Sequence, residues 1–283
     1  MSYLGINKEY ILIINEITHI ENIYIPDQSL VLFGGYADKN KNIYYHMKLN
    51  IGCNMNLDQS AKIYLTRTNL SKKDCFNEEY FETFYKNRGY KIISPEKLSV
   101  TDQIKIISSA SKIVCTAGTL SHLAVLFGHP DMELTMLLRE NSTSSLLPQI
   151  ILNQSMGIKY NVVDVSCSIL PGSHINTLFL LGPSFQWKKY LHENNIAFLK
   201  SEIEMEWKYA IEYLHQCAKI YTSNSNFYKI NENFDFFDVL QRLSLVFLDK
   251  EISRADFNTP SKKDLLNKIK KLEKRNVSST KKK

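Results

Sequence analysis

Glycine and proline are scarce, 10 and 7 residues in a chain of 283, which excludes a collagen-like, linker-like or low-complexity protein. Long apolar runs are missing too. None reaches the roughly 18 residues needed to cross a bilayer, and the opening stretch meets charge at Lys8 and Glu9 before any apolar segment fit for a signal peptide. These absences predict a chain that is neither exported nor membrane-spanning, working in the cytoplasm. Cysteine is present but unpaired by pattern: Cys53, Cys75, Cys115, Cys167 and Cys217 are widely spaced, odd in number and contain no CxxC. That fits a reducing compartment better than a disulfide framework or a zinc ribbon. No HExxH occurs, and His122 and His129 are neighbours without a metal signature. No metal or other cofactor is expected.

What is there suits a packed domain: 44% of residues are hydrophobic, with 14 Phe and 16 Tyr. The net charge of +6 is unevenly placed. Between Ser261 and Lys283, ten Lys or Arg face Asp264 and Glu273, a net +8 that leaves the other 260 residues at −2. A slightly acidic body argues against nucleic acid as a partner. Leu265, Leu266, Ile269 and Leu272 recur at helical spacing among those cations, which predicts a basic amphipathic helix. Such a helix can rest on an anionic inner leaflet or pack on a protein surface.

The first sixty residues read as short strands, Tyr10 to Ile14 and Ser29 to Phe33, making a partial sheet and linker over residues 1–60. From Lys62 the rhythm becomes regular. Strand Lys62 to Thr66 precedes a helix over Glu78 to Arg88, stopped at Gly89, and strand Tyr90 to Ile93 follows. Ser99 caps the next helix with Asp102 three residues on, then come strand Lys112 to Thr116, the turn Ala117-Gly118-Thr119 and helix Leu120 to Phe127. A strand over Met132 to Leu138, a helix over Leu146 to Met156 and a strand over Ile158 to Val165 continue the series. Alternation of this kind predicts an α/β fold with a Rossmann-like parallel sheet across residues 61–225. Trp187 to His192 and Glu202 to Tyr221 read as helices, and a helical extension carrying the basic tail fills residues 226–283.

In open parallel sheets ligands sit beyond the carboxyl ends of the strands, and a small-residue turn into a helix offers N–H groups to an anion. Gly118 allows close backbone approach there, and the hydroxyls of Thr119 and Ser121 can add hydrogen bonds. By itself the turn reads equally as a capped strand–helix junction.

An ordered set of features around it carries more. Ile63-Tyr64-Leu65-Thr66-Arg67 is a strand ending in arginine, and Asn77-Glu78 opens a helix. Gly89-Tyr90 precedes a strand, Pro95-Glu96-Lys97-Leu98-Ser99 leads to Gln103, and Ala117-Gly118-Thr119-Leu120-Ser121-His122 forms the glycine turn. From Lys62 to Arg139 the chain resembles the family 61 glycosyltransferases, inverting enzymes of GT-B fold that include capsular polysaccharide enzymes. The resemblance implies the C-terminal, donor-binding half of a GT-B enzyme. Its substrates would be a nucleotide sugar and a glycan or glycolipid acceptor, in bacterial surface polysaccharide synthesis, with contact to the inner membrane through the tail.

The resemblance further implies that Arg67 pairs with the donor diphosphate, that Asn77 and Glu78 shape the site and that Gln103 supports it. Gly118 and Thr119 would hold phosphate at the helix start. Each has a plainer reading: Arg67 as a surface ion pair, Asn77-Glu78 as a helix cap, Gln103 as an exposed helix residue. His122, next to the turn, is a polar contact for donor or acceptor, or a helix-surface residue. With no Asp-x-Asp to hold a divalent ion on the diphosphate, Arg67 and the helix N-terminus are expected to neutralise it without metal. The short stretch before Lys62 leaves the acceptor half to a second polypeptide, a longer chain or a loss, so a non-catalytic nucleotide-sugar or partner-binding module remains the alternative.

Overall fold

The computed structural model describes residues 2–25, 27–31, 34–53, 58–69, 75–140, 146–168, 178–204, 206, 208–210, 212–213 and 216. In chain order the main elements are α1 (Asn40–Asn50), β1 (Asp58–Leu65), β2 (Cys75–Phe76), α2 (Glu78–Lys86) and β3 (Lys91–Ile93). They continue with α3 (Val100–Ser109), β4 (Ala110–Thr116), α4 (Thr119–Phe127), β5 (Glu133–Leu138) and α5 (Leu146–Met156). β6 (Lys159–Asp164), β7 (Phe179–Leu180) and α6 (Phe185–Glu193) complete the set.

Five strands form one sheet in the order β3-β1-β4-β5-β6, every pair parallel. Side chains alternate across it because strand period is two. Ile63, Leu65, Ile113, Cys115, Leu134 and Met136 face the core shared with α3, α4 and α5. Tyr64, Val114, Leu137 and Val163 face the opposite core, closed by α2 and α6. Both faces are covered, as an all-parallel sheet requires. The strand order reverses between β1 and β4, one running outward to β3 and the other to β5, which opens a crevice at their carboxyl ends.

The regular alternation expected from residue 62 onward is present, with ends displaced by a few residues. β1 begins at Asp58, and its register to β4 shifts between Asp58 and Lys62. Ser99 caps α3 as its position suggests, its hydroxyl accepting from the Asp102 N–H at 3.1 Å.

The first sixty residues differ from expectation. Tyr10 to Ile14 is no strand, since no neighbour among the described residues offers a ladder, and Tyr10, Leu12 and Ile13 are exposed. Of the strand expected over Ser29 to Phe33, Leu30 makes a single bridge to Tyr36, and Leu32 and Phe33 lie outside the described residues. Among the described residues α1 stands there instead of a partial sheet, and its Tyr44 and Met47, with Ile51 at its C-cap, pack at helical spacing on the core of α3 to α5. Its Lys48 is buried and donates to the Gly128 carbonyl at 3.1 Å, fastening α1 to the end of α4. Of the helix expected over Glu202 to Tyr221, Glu202 and Ile203 lie instead in a 3-10 turn over Lys200–Ile203, while the described residues 208–210, 212–213 and 216 are helical. The remainder of the expected helix from residue 217, residues 226–283 and the basic amphipathic tail lie outside the described residues. No helix among the described residues is long and apolar enough to cross a membrane.

Trp187 anchors the α2–α6 face. Fully buried, it meets the edges of Phe81 and Phe84 at 5.2 Å and stacks on Tyr190 at 5.8 Å. Trp187→Ala is expected to cost about 3–5 kcal/mol in urea unfolding, with Trp187→Phe losing less because it refills most of the space. Equal losses would mean that this cluster does not set the stability of the face.

Candidate functional site

The crevice between β1 and β4 is built from chain segments that leave three adjacent strands. β1 runs into Thr66 and Arg67, β4 into Ala117 and Gly118, and β5 into Arg139. Parallel register brings them together: Thr116 lies beside Leu137, and the Ala117 N–H donates to the Leu137 carbonyl at 2.9 Å. Gly118 sits at φ +127°, and a Cβ there would lie 3.2 Å from Arg139 Nη2 and 3.9 Å from Arg67 Nη1. Two guanidiniums therefore converge on one glycine at the N-terminus of α4, where the first N–H groups of the helix point outward.

Arg139 is fixed in that pose. Its Nε donates to the Ala117 carbonyl at 3.0 Å, Nη1 lies 3.4 Å from Cys75 Sγ, and the guanidinium stands 4.4 Å over the Phe179 ring. Beside the turn is a small cavity of about 60 Å³ whose lining includes Gly118, His122, Arg139, Glu140 and Gln149. Burial holds the His122 imidazole below its usual range, with Gln149 acting the other way, and its buried Nδ1 has no partner among the described residues.

Glu78 lies behind the arginines with 1% of its surface exposed. Oε1 accepts from the Arg67 N–H at 3.2 Å and from the Tyr64 hydroxyl at 3.4 Å. Oε2 is buried and has no partner among the described residues. Burial pushes this carboxyl up to about 7. The Arg67 N–H opposes that rise, Glu82 one turn on adds to it, and the charges of Arg67 and Arg139 pull it back. Glu82 itself collects the hydroxyls of Thr66 and Thr68, the latter at 2.6 Å. Buried Thr116 Oγ1 and Asn77 Oδ1 also have no partner among the described residues. Buried polar atoms in native folds are matched by protein groups or by ordered water.

Several expected site residues behave differently from their sequence reading. Ser121 is fully buried, and its hydroxyl accepts from the Gly118 N–H at 3.0 Å and donates to Gln149 Oε1 at 2.7 Å, so it closes the turn from inside. Asn77 stands at the N-cap of α2 but makes no side-chain cap bond. Its backbone is left-handed at φ 67°, and its amide reaches instead to the Leu181 carbonyl at 2.9 Å. Gln103 donates to the Pro95 and Leu98 carbonyls, bracing the loop after β3. Thr119 is exposed at the helix start.

Arg139, Glu82 and Cys75 were not legible as site residues. Arg139 marked only the end of the stretch that carries the resemblance, and parallel pairing of β4 with β5 was the clue that it would meet the turn. A larger cavity of about 340 Å³ lies near the opposite ends of the strands, lined by Lys62, Tyr85, Lys112 and Tyr190 among others. It holds the Lys112–Glu133 ion pair, and neither arginine of the crevice lines it.

Because folding favours the protonated form of Glu78, the folded chain binds more protons than the unfolded one between the ordinary carboxylate range and about pH 7. Its contribution to stability is full below that range and is lost as pH rises toward about 7. Glu78→Gln cannot titrate and keeps the acceptor for the Arg67 N–H. In thermal melts between about pH 4.5 and 8 the variant is expected to gain on the wild type as pH rises. Parallel curves would contradict the raised carboxyl.

Residues 10–133 match the model of the family described as Glycosyltransferase 61. That stretch runs from the N-terminal segment through α1, the β1–β4 crevice and the glycine turn to the first residue of β5, and stops short of Arg139. A search of the curated proteins found no match. The part of the chain that holds Arg67, Glu78 and Gly118 is thus similar to the glycosyltransferase 61 domain.

Proposed function

We propose that this chain is a glycosyltransferase whose β1–β4 crevice binds the diphosphate of a nucleotide-sugar donor. The observation that carries the reading is the pair of guanidiniums on one glycine turn at the reversal of strand order. Guanidiniums bind phosphate oxygens two at a time, and the helix N-terminus adds outward N–H groups. The match over residues 10–133 supports glycosyl transfer as the reaction class. On this reading the sheet is the donor half of a GT-B enzyme.

Transfer proceeds by attack of an acceptor hydroxyl on the anomeric carbon, with inversion. The new carbon–oxygen bond forms as the bond from the anomeric carbon to the β-phosphate oxygen breaks, the electron pair leaves with the nucleoside diphosphate, and the acceptor hydroxyl's proton passes to solvent. Arg67 and Arg139 take the developing charge, so no divalent ion is needed. Asn77 and Glu78 hold the wall of the site, Gln103 steadies the neighbouring loop, Gly118 and Thr119 face the phosphates, and His122 contacts donor or acceptor. A glycan or glycolipid acceptor in bacterial capsular or lipopolysaccharide synthesis, at the inner face of the membrane, follows from the family resemblance and the basic tail.

Thermal shifts with UDP, GDP, CMP and ADP, with and without chelator, test the site. One nucleotide is expected to raise Tm by a few degrees, indifferent to chelator, in wild type and in neither Arg67→Ala nor Arg139→Ala. A shift that survives both substitutions would move the site elsewhere. Binding without release of nucleoside diphosphate from any nucleotide sugar would make the chain a binding module.

A further inference from the structure

We propose that Glu78 is a positioning residue that works as the proton-carrying counter-charge of this site. Its buried carboxyl takes a proton from solvent when a diphosphate settles between Arg67, Arg139 and Gly118, and returns it when the diphosphate leaves. The inference rests on the donor-site reading above.

Burial decides what Glu78 can do. With 1% exposure and Oε2 sealed, the carboxyl cannot meet an acceptor hydroxyl, so it is not the base of the transfer reaction. It acts through its neighbours. Oε1 holds the Arg67 N–H and thereby sets where the Arg67 side chain leaves β1. The ionisable groups facing it are Tyr64 on β1, Glu82 on α2, Cys115 on β4, and the guanidiniums of Arg67 and Arg139. Tyr64 and Cys115 are both kept protonated by burial. Glu82 is already engaged by two threonine hydroxyls. Glu78 is left as the buried group poised to change charge near neutrality.

With the crevice empty, an ionised Glu78 offsets part of the charge of two arginines. A bound diphosphate brings two negative charges to the same guanidiniums and removes the need for that offset. The proton that Glu78 then accepts keeps the buried cluster from carrying surplus negative charge. The consequence is linkage: the donor binds best when Glu78 is protonated, and by reciprocity the donor favours protonation.

Two measurements test this in the full chain. In the free protein, the Glu78 side-chain carboxyl, assigned in carbon-13 spectra by its loss in Glu78→Gln, is expected to titrate with a midpoint near 7. A midpoint in the ordinary carboxylate range overturns the proposal whatever the chain binds. Calorimetry with UDP-glucose, GDP-mannose and dTDP-glucose then reads the linkage, since their diphosphate diesters keep both charges throughout this range. For the sugar nucleotide that binds, affinity is expected to be flat below about pH 7 and to fall above it by up to about tenfold per unit. Proton uptake would appear as a heat that depends on the buffer. Glu78→Gln is expected to bind with neither pH dependence nor buffer dependence, and an unchanged pH slope in that variant overturns the proposal. If none of the three binds, the donor-site reading falls and takes the proposal with it, even where the free carboxyl titrates near 7.

Discussion

Like charges repel, and this fold brings two arginines to one glycine. Nη2 of Arg139 and Nη1 of Arg67 lie 3.2 and 3.9 Å from the same point above Gly118. Charges no more than about 7 Å apart at an effective dielectric of about 20 cost each other at least about 2 kcal/mol. The structure around them answers that cost. Arg139 is held by a carbonyl, a sulfur and an aromatic face, and Glu78 stands behind both. An anion between the two guanidiniums, as the donor-site proposal has it, would answer it further.

How much of this could be read along the chain depended on whether the cause was local. Strand period, the Ser99 cap and the glycine turn are set by neighbours in sequence, and the alternation from β1 to β6 was legible within a few residues. The N-terminal region was not, because an apolar run such as Tyr10 to Ile14 becomes a strand only where a partner offers a ladder. The stripe of α1 had the right spacing in Tyr44, Met47 and Ile51 but opens on the polar residues Asn40 to Asn42, which resemble a turn. Arg67 and Gly118 were recoverable from the family resemblance. Arg139 was not, since only the register of β5 on β4 carries it to Ala117.

Burial also separates look-alike roles. Ser121 and Thr119 carry similar hydroxyls at the start of α4, yet Ser121 closes the turn from inside while Thr119 faces outward. Glu78 and Glu82 lie one turn apart on α2. Glu82 is satisfied by threonines and Glu78 has an oxygen with no partner among the described residues, so two carboxylates four residues apart answer to different surroundings.

The position of Glu78 depends on a short second sheet. β2 and β7 pair in parallel over Cys75–Phe179 and Phe76–Leu180, and the Leu181 N–H donates to the Phe76 carbonyl at 3.0 Å. The Asn77 amide answers from the other side by bonding the Leu181 carbonyl. These bonds hold Asn77 in its left-handed conformation, a state asparagine tolerates better than most residues, and that turn aims the first residue of α2 into the sheet. The same strands supply Cys75 and Phe179, which grip Arg139. Two pairs of residues outside the main sheet thereby set both the counter-charge and one of the two cations, coupling the α2–α6 face to the mouth of the crevice.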